Sequence, residues 1–205
     1  MNNIPRIGRI YDISQEVFTC AVYPGDSQPE RIIAKTLIEG GSCNLTEIRM
    51  CAHNGTHLDA PYHFSDEGKT IDQLDPDLFI GPAYVSEHAG DLSASDAEQI
   101  LREAQACRTD CAERILIKGD MTVTEEAAAV FAAAGIKLLG NESQTVGPVG
   151  SPGKVHRIIL GADLVLLEGI RLSEVPVGCY FLNAAPLNFG SADGAPCRAV
   201  LLTFE

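Results

Sequence analysis

The 205-residue chain has no tryptophan and few basic residues: 15 Lys and Arg stand against 28 Asp and Glu, a net charge of −13. A field of that sign repels phosphate backbones and acidic membrane surfaces, so neither nucleic acid nor membrane is expected as a partner. No apolar run approaches the roughly 18 residues that cross a bilayer. The opening Met1-Asn2-Asn3-Ile4-Pro5-Arg6 lacks the apolar stretch of a signal peptide, and a cytoplasmic location is expected. Gly-x-Ser-x-Gly is missing, which counts against a serine hydrolase of the nucleophile-elbow type. Gly-x-Gly-x-x-Gly after a strand and the full phosphate-loop pattern Gly-x4-Gly-Lys-Ser/Thr are missing too, so no nucleotide cofactor is suggested. The seven cysteines are odd in number and scattered, with only Cys107 and Cys111 close together. Reduced thiols are expected, rather than a disulfide framework or a zinc knuckle.

What is present reads as one domain over residues 1–205, with 45% hydrophobic and 21% charged residues, enough for a sizeable core. Short β-branched and aliphatic runs predict strands at 9–13, 31–36, 45–51, 79–86, 114–118, 136–139, 164–167 and 199–204. Helices are predicted over 95–106, with Ser95 as cap, over 124–134, closed by Gly135, and over 154–160. The first two helices lie between strand candidates, which implies βαβ crossovers and parallel pairing, while the N-terminal third reads as hairpins. The expected class is α/β, a mixed sheet with flanking helices.

The chemistry concentrates in His53-Asn54-Gly55-Thr56-His57-Leu58-Asp59-Ala60-Pro61-Tyr62-His63-Phe64, where three of the five histidines fall within eleven residues. His53, His57, Asp59 and His63 are all odd-numbered, and alternate residues of an extended chain face one side. A single strand would thus aim imidazoles and a carboxylate at one point. Gly55 would leave room there for an ion or substrate. Gly55, Asp59 and Pro61 disfavour a helix. Imidazole with carboxylate suits zinc, manganese or iron. Elsewhere, His88 reads as a bystander. Glu168 ends a very apolar strand, where sites at sheet edges tend to lie, and His156 is twelve residues before it. The residues alone leave open whether these two are ligands.

The motif His53-x-Gly55-Thr56-His57-x-Asp59-x-Pro61-x-His63-Phe64 resembles the signature of the cyclase family of metal-dependent hydrolases. Further landmarks of that family are similar along nearly the whole chain. They are Tyr11-Asp12-Ile13-Ser14, Tyr23-Pro24-Gly25-Asp26, Gly81-Pro82-Ala83, Leu167-Glu168-Gly169-Ile170, Val175-Pro176-x-Gly178-x-Tyr180 and Asp193-Gly194-Ala195-Pro196-Cys197-Arg198. The resemblance implies a swivelling β/β/α fold and a site for two divalent ions, zinc or manganese. His53, His57 and Asp59 would hold the first ion. Asp59, His156 and Glu168 would hold the second, with Glu168 serving both. His63 would be the proton donor and acceptor. It also implies a homodimer or homotetramer and a small amide substrate, either N-formylkynurenine, hydrolysed to kynurenine and formate, or another amide or lactam of the isatin type. Metal-activated water would attack the carbonyl in either case. Three positions, in two segments, depart from the family pattern. Tyr23 stands where the formamidases carry a substrate-contacting tryptophan, and Glu142 and Gly147 stand where aspartates are expected.

Overall fold

The computed structural model describes residues 5–205. In chain order the strands are β1 (Ile7–Asp12), β2 (Glu30–Lys35), β3 (Leu45–Arg49), β4 (His57–Asp59), β5 (Ile80–Glu87), β6 (Gly90–Leu92), β7 (Arg114–Lys118), β8 (Met121–Val123), β9 (Leu138–Asn141), β10 (Val165–Glu168), β11 (Gly178–Asn183), β12 (Gly194–Pro196) and β13 (Val200–Phe204). The α-helices are α1 (Ala94–Cys107), α2 (Glu125–Ala134) and α3 (Gly153–Leu160). Nine strands form one mixed sheet in the order β1-β13-β11-β5-β7-β9-β10-β4-β12.

The predicted crossovers are present. The pairs β5/β7, β7/β9 and β9/β10 are parallel, and α1, α2 and α3 fill the three connections between them. The central strands are buried on both faces, which is why β7 and β10 read as short apolar runs. Ile115, Ile117, Leu139 and Leu166 pack with the helices, around Ala97, Ile100, Phe131 and Ile159. Their neighbours Leu116, Leu138, Val165 and Leu167 point the other way, into a second core with Leu58, Ile71, Phe79 and Leu201. The class expected from sequence, α/β with a mixed sheet and flanking helices, is the one observed.

The helix ends follow local chemistry. Thr124 caps α2 by accepting from Ala127 N (3.2 Å), and Gly135 ends it in the left-handed conformation at φ 65°. The cap of α1 is Ser93, not Ser95. Ser93 Oγ accepts from Asp96 N at 3.3 Å, and Ser93 N donates back to the Asp96 carboxylate at 2.9 Å in a reciprocal box.

The N-terminal third is less regular than expected. Only β2 and β3 form a hairpin; β1 pairs with β13 from the far end of the chain, and β4 sits between β10 and β12. Every residue of the β2–β3 ribbon is exposed, Ile32, Ile33 and Ile48 included. Among the described residues, no helix is long and apolar enough to cross a membrane.

Candidate metal centre

The site grows from β4. His57 and Asp59 alternate with Leu58, so Leu58 enters the second core while the other two face the helix layer. On the neighbouring antiparallel strand, Glu168 is the register partner of His57, which puts its side chain on the same face. This is the C-terminal end of the parallel strands, where open α/β sheets place their ligands. α3 buries Val155, His156, Ile159 and Leu160, and that face delivers His156 from above the sheet.

The strand expected across the whole motif is only three residues long. Alternation therefore aligns His57 with Asp59 alone. His53 arrives through a turn in which Asn54 Oδ1 accepts from Cys51 N at 2.9 Å, and His63 lies on a 3-10 turn opened by Pro61. Nor does Gly55 make room at the centre. A Cβ there would face Cys20 and Val17 at 3.7–3.8 Å, and the glycine is needed because its φ is +72°. Its carbonyl is in use, receiving His57 Nδ1 at 3.0 Å.

Asp59 is the hub. Its Oδ1 lies 2.8 Å from His53 Nδ1 and 3.3 Å from His57 Nε2, and its Oδ2 lies 3.6 Å from His156 Nε2. Glu168 spans the same two imidazoles, 3.7 Å from His57 Nε2 and 3.3 Å from His156 Nε2. Its Oε1 also accepts from Val146 N at 2.6 Å, which holds the carboxylate in place. All three groupings of potential metal ligands among the described residues lie here: His53/His57/Asp59, Asp59/His156/Glu168 and His53/His63/Asp193.

These residues fit a divalent cation. His57 Nδ1 donates to Gly55 O, and His156 Nδ1 donates to Pro152 O at 3.0 Å, so each ring turns the lone pair of Nε2 inward. Those lone pairs face carboxylate oxygens, acceptor against acceptor, at 3.3–3.7 Å. His57, Asp59, His156 and Glu168 are at most 2% exposed, so water does not compensate. A cation satisfies both sides. The charges surrounding the histidines point the same way. Burial disfavours a charged His53 ring, yet the Asp59 charge and the hydrogen bond to Asp193 hold it up to about 11. His156 is also raised against the cost of burial, through its contact with Glu168 and the charges of Glu168 and Asp59. Burial alone would raise Asp59; the adjacent histidines take it well below the usual carboxylate range.

The cluster floors a cavity of about 200 Å³ bordered by Tyr23, Asp26, Phe64 and Gln144. Tyr23 stands at its rim, and its hydroxyl accepts from Gly150 N at 3.2 Å. The two departures at Glu142 and Gly147 are structural. The Glu142 carboxylate accepts from Gly119 N and Leu172 N, both at 2.8 Å, tying two loops together. A Cβ on Gly147 would stand 3.1–3.2 Å from the backbone of Pro152, whose carbonyl anchors His156. His88 stands apart from the cluster, its Nε2 on Asp91 O at 3.3 Å.

Sequence reasoning named Asp193 only as the start of a landmark stretch and gave it no role in the site. Its Oδ2 receives both His53 Nε2 (2.9 Å) and His63 Nδ1 (3.0 Å). It lies 130 residues from His63, and no local spacing marks it.

With a sheet of this topology and this site, the chain belongs to the family described as putative cyclase, whose pattern it matches over residues 11–148. It is 34% identical to the kynurenine formamidase of Salinibacter ruber, over 94% of this chain and 96% of that protein. It is 32% identical to the kynurenine formamidase of Delftia acidovorans, over 94% and 97%. Among solved structures it is similar to a potential metal-dependent hydrolase with cyclase activity (26% identity, TM-score 0.79, covering 96% and 98%). The fold is shared with isatin hydrolase A from Labrenzia aggregata (20% identity, TM-score 0.81, covering 96% and 94%).

Proposed function

We propose that this chain is a metal-dependent amidohydrolase that cleaves N-formylkynurenine to kynurenine and formate. The observation that carries the reading is the buried set of inward-facing imidazole and carboxylate acceptors, with His63 beside it at the cavity. The names of the relatives from Salinibacter and Delftia support the substrate. His53, His57 and Asp59 would hold one divalent ion; Asp59, His156 and Glu168 would hold a second, with Glu168 reaching both. Zinc or manganese bound there would activate water and polarise the formyl carbonyl.

The chain's own part is orientation and proton transfer. A new C–O bond forms at the formyl carbon and the C–N bond breaks. With His63 Nδ1 engaged by Asp193, its Nε2 is left to take a proton from the attacking water and return it to the departing aryl nitrogen. Tyr23 at the rim offers an aromatic face to the substrate ring. That tyrosine, in place of tryptophan, favours a second reading in which the same site opens an isatin-like lactam.

A homodimer or homotetramer fits the β2–β3 ribbon, since a two-stranded ribbon with exposed isoleucines is marginal on its own. The seven cysteines are all unpaired, as suits a reducing cytoplasm.

The test is hydrolysis of N-formylkynurenine by purified protein, before and after chelation and with zinc or manganese restored. Turnover that stops on chelation and returns with metal is expected. Absence of turnover by fully loaded protein, with turnover of isatin, would replace the first substrate by the second.

A further inference from the structure

His53 and His63 do not act as separate groups in this structure. Their rings lie 4.1 Å apart, inclined by 30°, and one carboxylate oxygen serves both. Each imidazole spends one nitrogen on Asp193. His53 then presents Nδ1 to Asp59 and the interior of the cluster, and His63 retains only Nε2 for chemistry.

The carboxylate is itself set by the sheet. Ala60 N, one residue beyond the hub Asp59, donates to Asp193 O at 2.9 Å, and the next residue, Gly194, is the register partner of Asp59 on β12. A Cβ on Gly194 would lie 2.8 Å from His53 Cε1 and 2.6 Å from Leu58 O, so the glycine is what lets this edge close against the histidine. Asp193 is thereby placed by backbone pairing, independently of the rings it holds.

We infer that Asp193 is a positioning residue that locks the His53 and His63 rings together through a single oxygen, so that metal capture and proton transfer depend on the same side chain. The proton-transfer half rests on the amidohydrolase reading; the metal half does not. Outer carboxylates of this kind set the tautomer and orientation of imidazole ligands, and their loss typically costs 10- to 100-fold in metal affinity.

Three measurements test this. In zinc-loaded wild-type protein, nitrogen NMR should find neutral His63 as the Nδ1–H tautomer; the Nε2–H tautomer would overturn the assignment without any variant. Asp193→Ala should bind zinc about 10- to 100-fold more weakly in competition with a chromophoric chelator. At saturating zinc its kcat should fall by about the same factor, with KM within about twofold. The double variant with His63→Ala should then be no slower than His63→Ala alone, since the two changes disable one unit. Additive losses in kcat, or unchanged zinc affinity, would overturn the proposal. So would a third tightly bound zinc per chain that vanishes in Asp193→Ala, because Asp193 would then be a ligand. If wild-type protein hydrolyses neither amide nor lactam, the amidohydrolase reading fails, while the tautomer and the zinc affinity still decide the role of Asp193.

Discussion

His57 and Glu168 are direct partners across the β4–β10 pair, yet their side chains stop 3.7 Å short of each other, Nε2 from Oε2. Two acceptors aligned by a sheet register and kept apart in a dry interior define the gap in which a cation is stable. Glu168→Gln keeps the oxygen that accepts from Val146 N but removes the charge. It is expected to fold and to lose at least about 100-fold in metal affinity, a larger loss than outer-sphere changes give. Metal content after dialysis measures it; unchanged stoichiometry would remove Glu168 from the ligand set.

His63→Ala should separate metal binding from turnover. The ring touches the outer oxygen of Asp193 and lies off the inner cluster. Bound metal should stay at the wild-type level while kcat falls by roughly 10² to 10⁴, the usual value of a positioned proton shuttle. Metal loss in this variant would refute the assigned role.

The pH dependence of the metal-free protein follows from His53. Its folded value, about 11, lies above the ordinary imidazole value of 6.5. A raised value stabilises the fold fully below the unfolded pKa, and the contribution disappears as pH climbs through the folded one. Metal-free protein should therefore lose stability between pH 6.5 and about 11, as followed by urea unfolding. A metal ion at His53 must also displace its proton, so uptake near about pH 8 should release about one proton from this residue. Calorimetry in buffers of different ionisation enthalpy reads that number, and no release would contradict it.

Gly55→Ala tests whether backbone conformation, not space, is what the glycine supplies. Nothing nearer than 3.7 Å opposes a Cβ, but the φ of +72° does. A cost of about 1–2 kcal/mol is expected in thermal unfolding. Metal affinity should weaken with it, because the Gly55 carbonyl orients His57.

Tyr23→Phe removes the acceptor for Gly150 N while keeping the ring. One net hydrogen bond at the cavity rim corresponds to roughly a 2- to 10-fold rise in KM with kcat little changed. An equal fall in kcat would mean that the tyrosine acts on the reaction itself.

Much of this protein is legible locally. The apolar runs at 114–118 and 164–167 mark strands of the central sheet because those strands are buried on both faces. The stop at Gly135 falls where predicted, since capping involves only nearby backbone groups. Strands such as β11 and β12 escaped notice. Gly178 and Pro196 break their pattern, and pairing with β5 and β4 supplies what propensity does not.

By itself the sequence determined that His57 and Asp59 share a face, because the two-residue period of a strand is a property of the chain at that point. It also marked His53 and His63 as candidates, though for the wrong reason: a turn and a 3-10 segment, not alternation, bring them in. The resemblance implied that His156 and Glu168 join them; how they meet, and that Asp193 does too, only the tertiary structure decided. Those three come from a helix, a parallel strand and the approach to an edge strand more than 90 residues on. Their convergence depends on the register of β4 between β10 and β12, and a register between strands far apart in sequence is set by the burial of whole faces, not by any spacing within the motif.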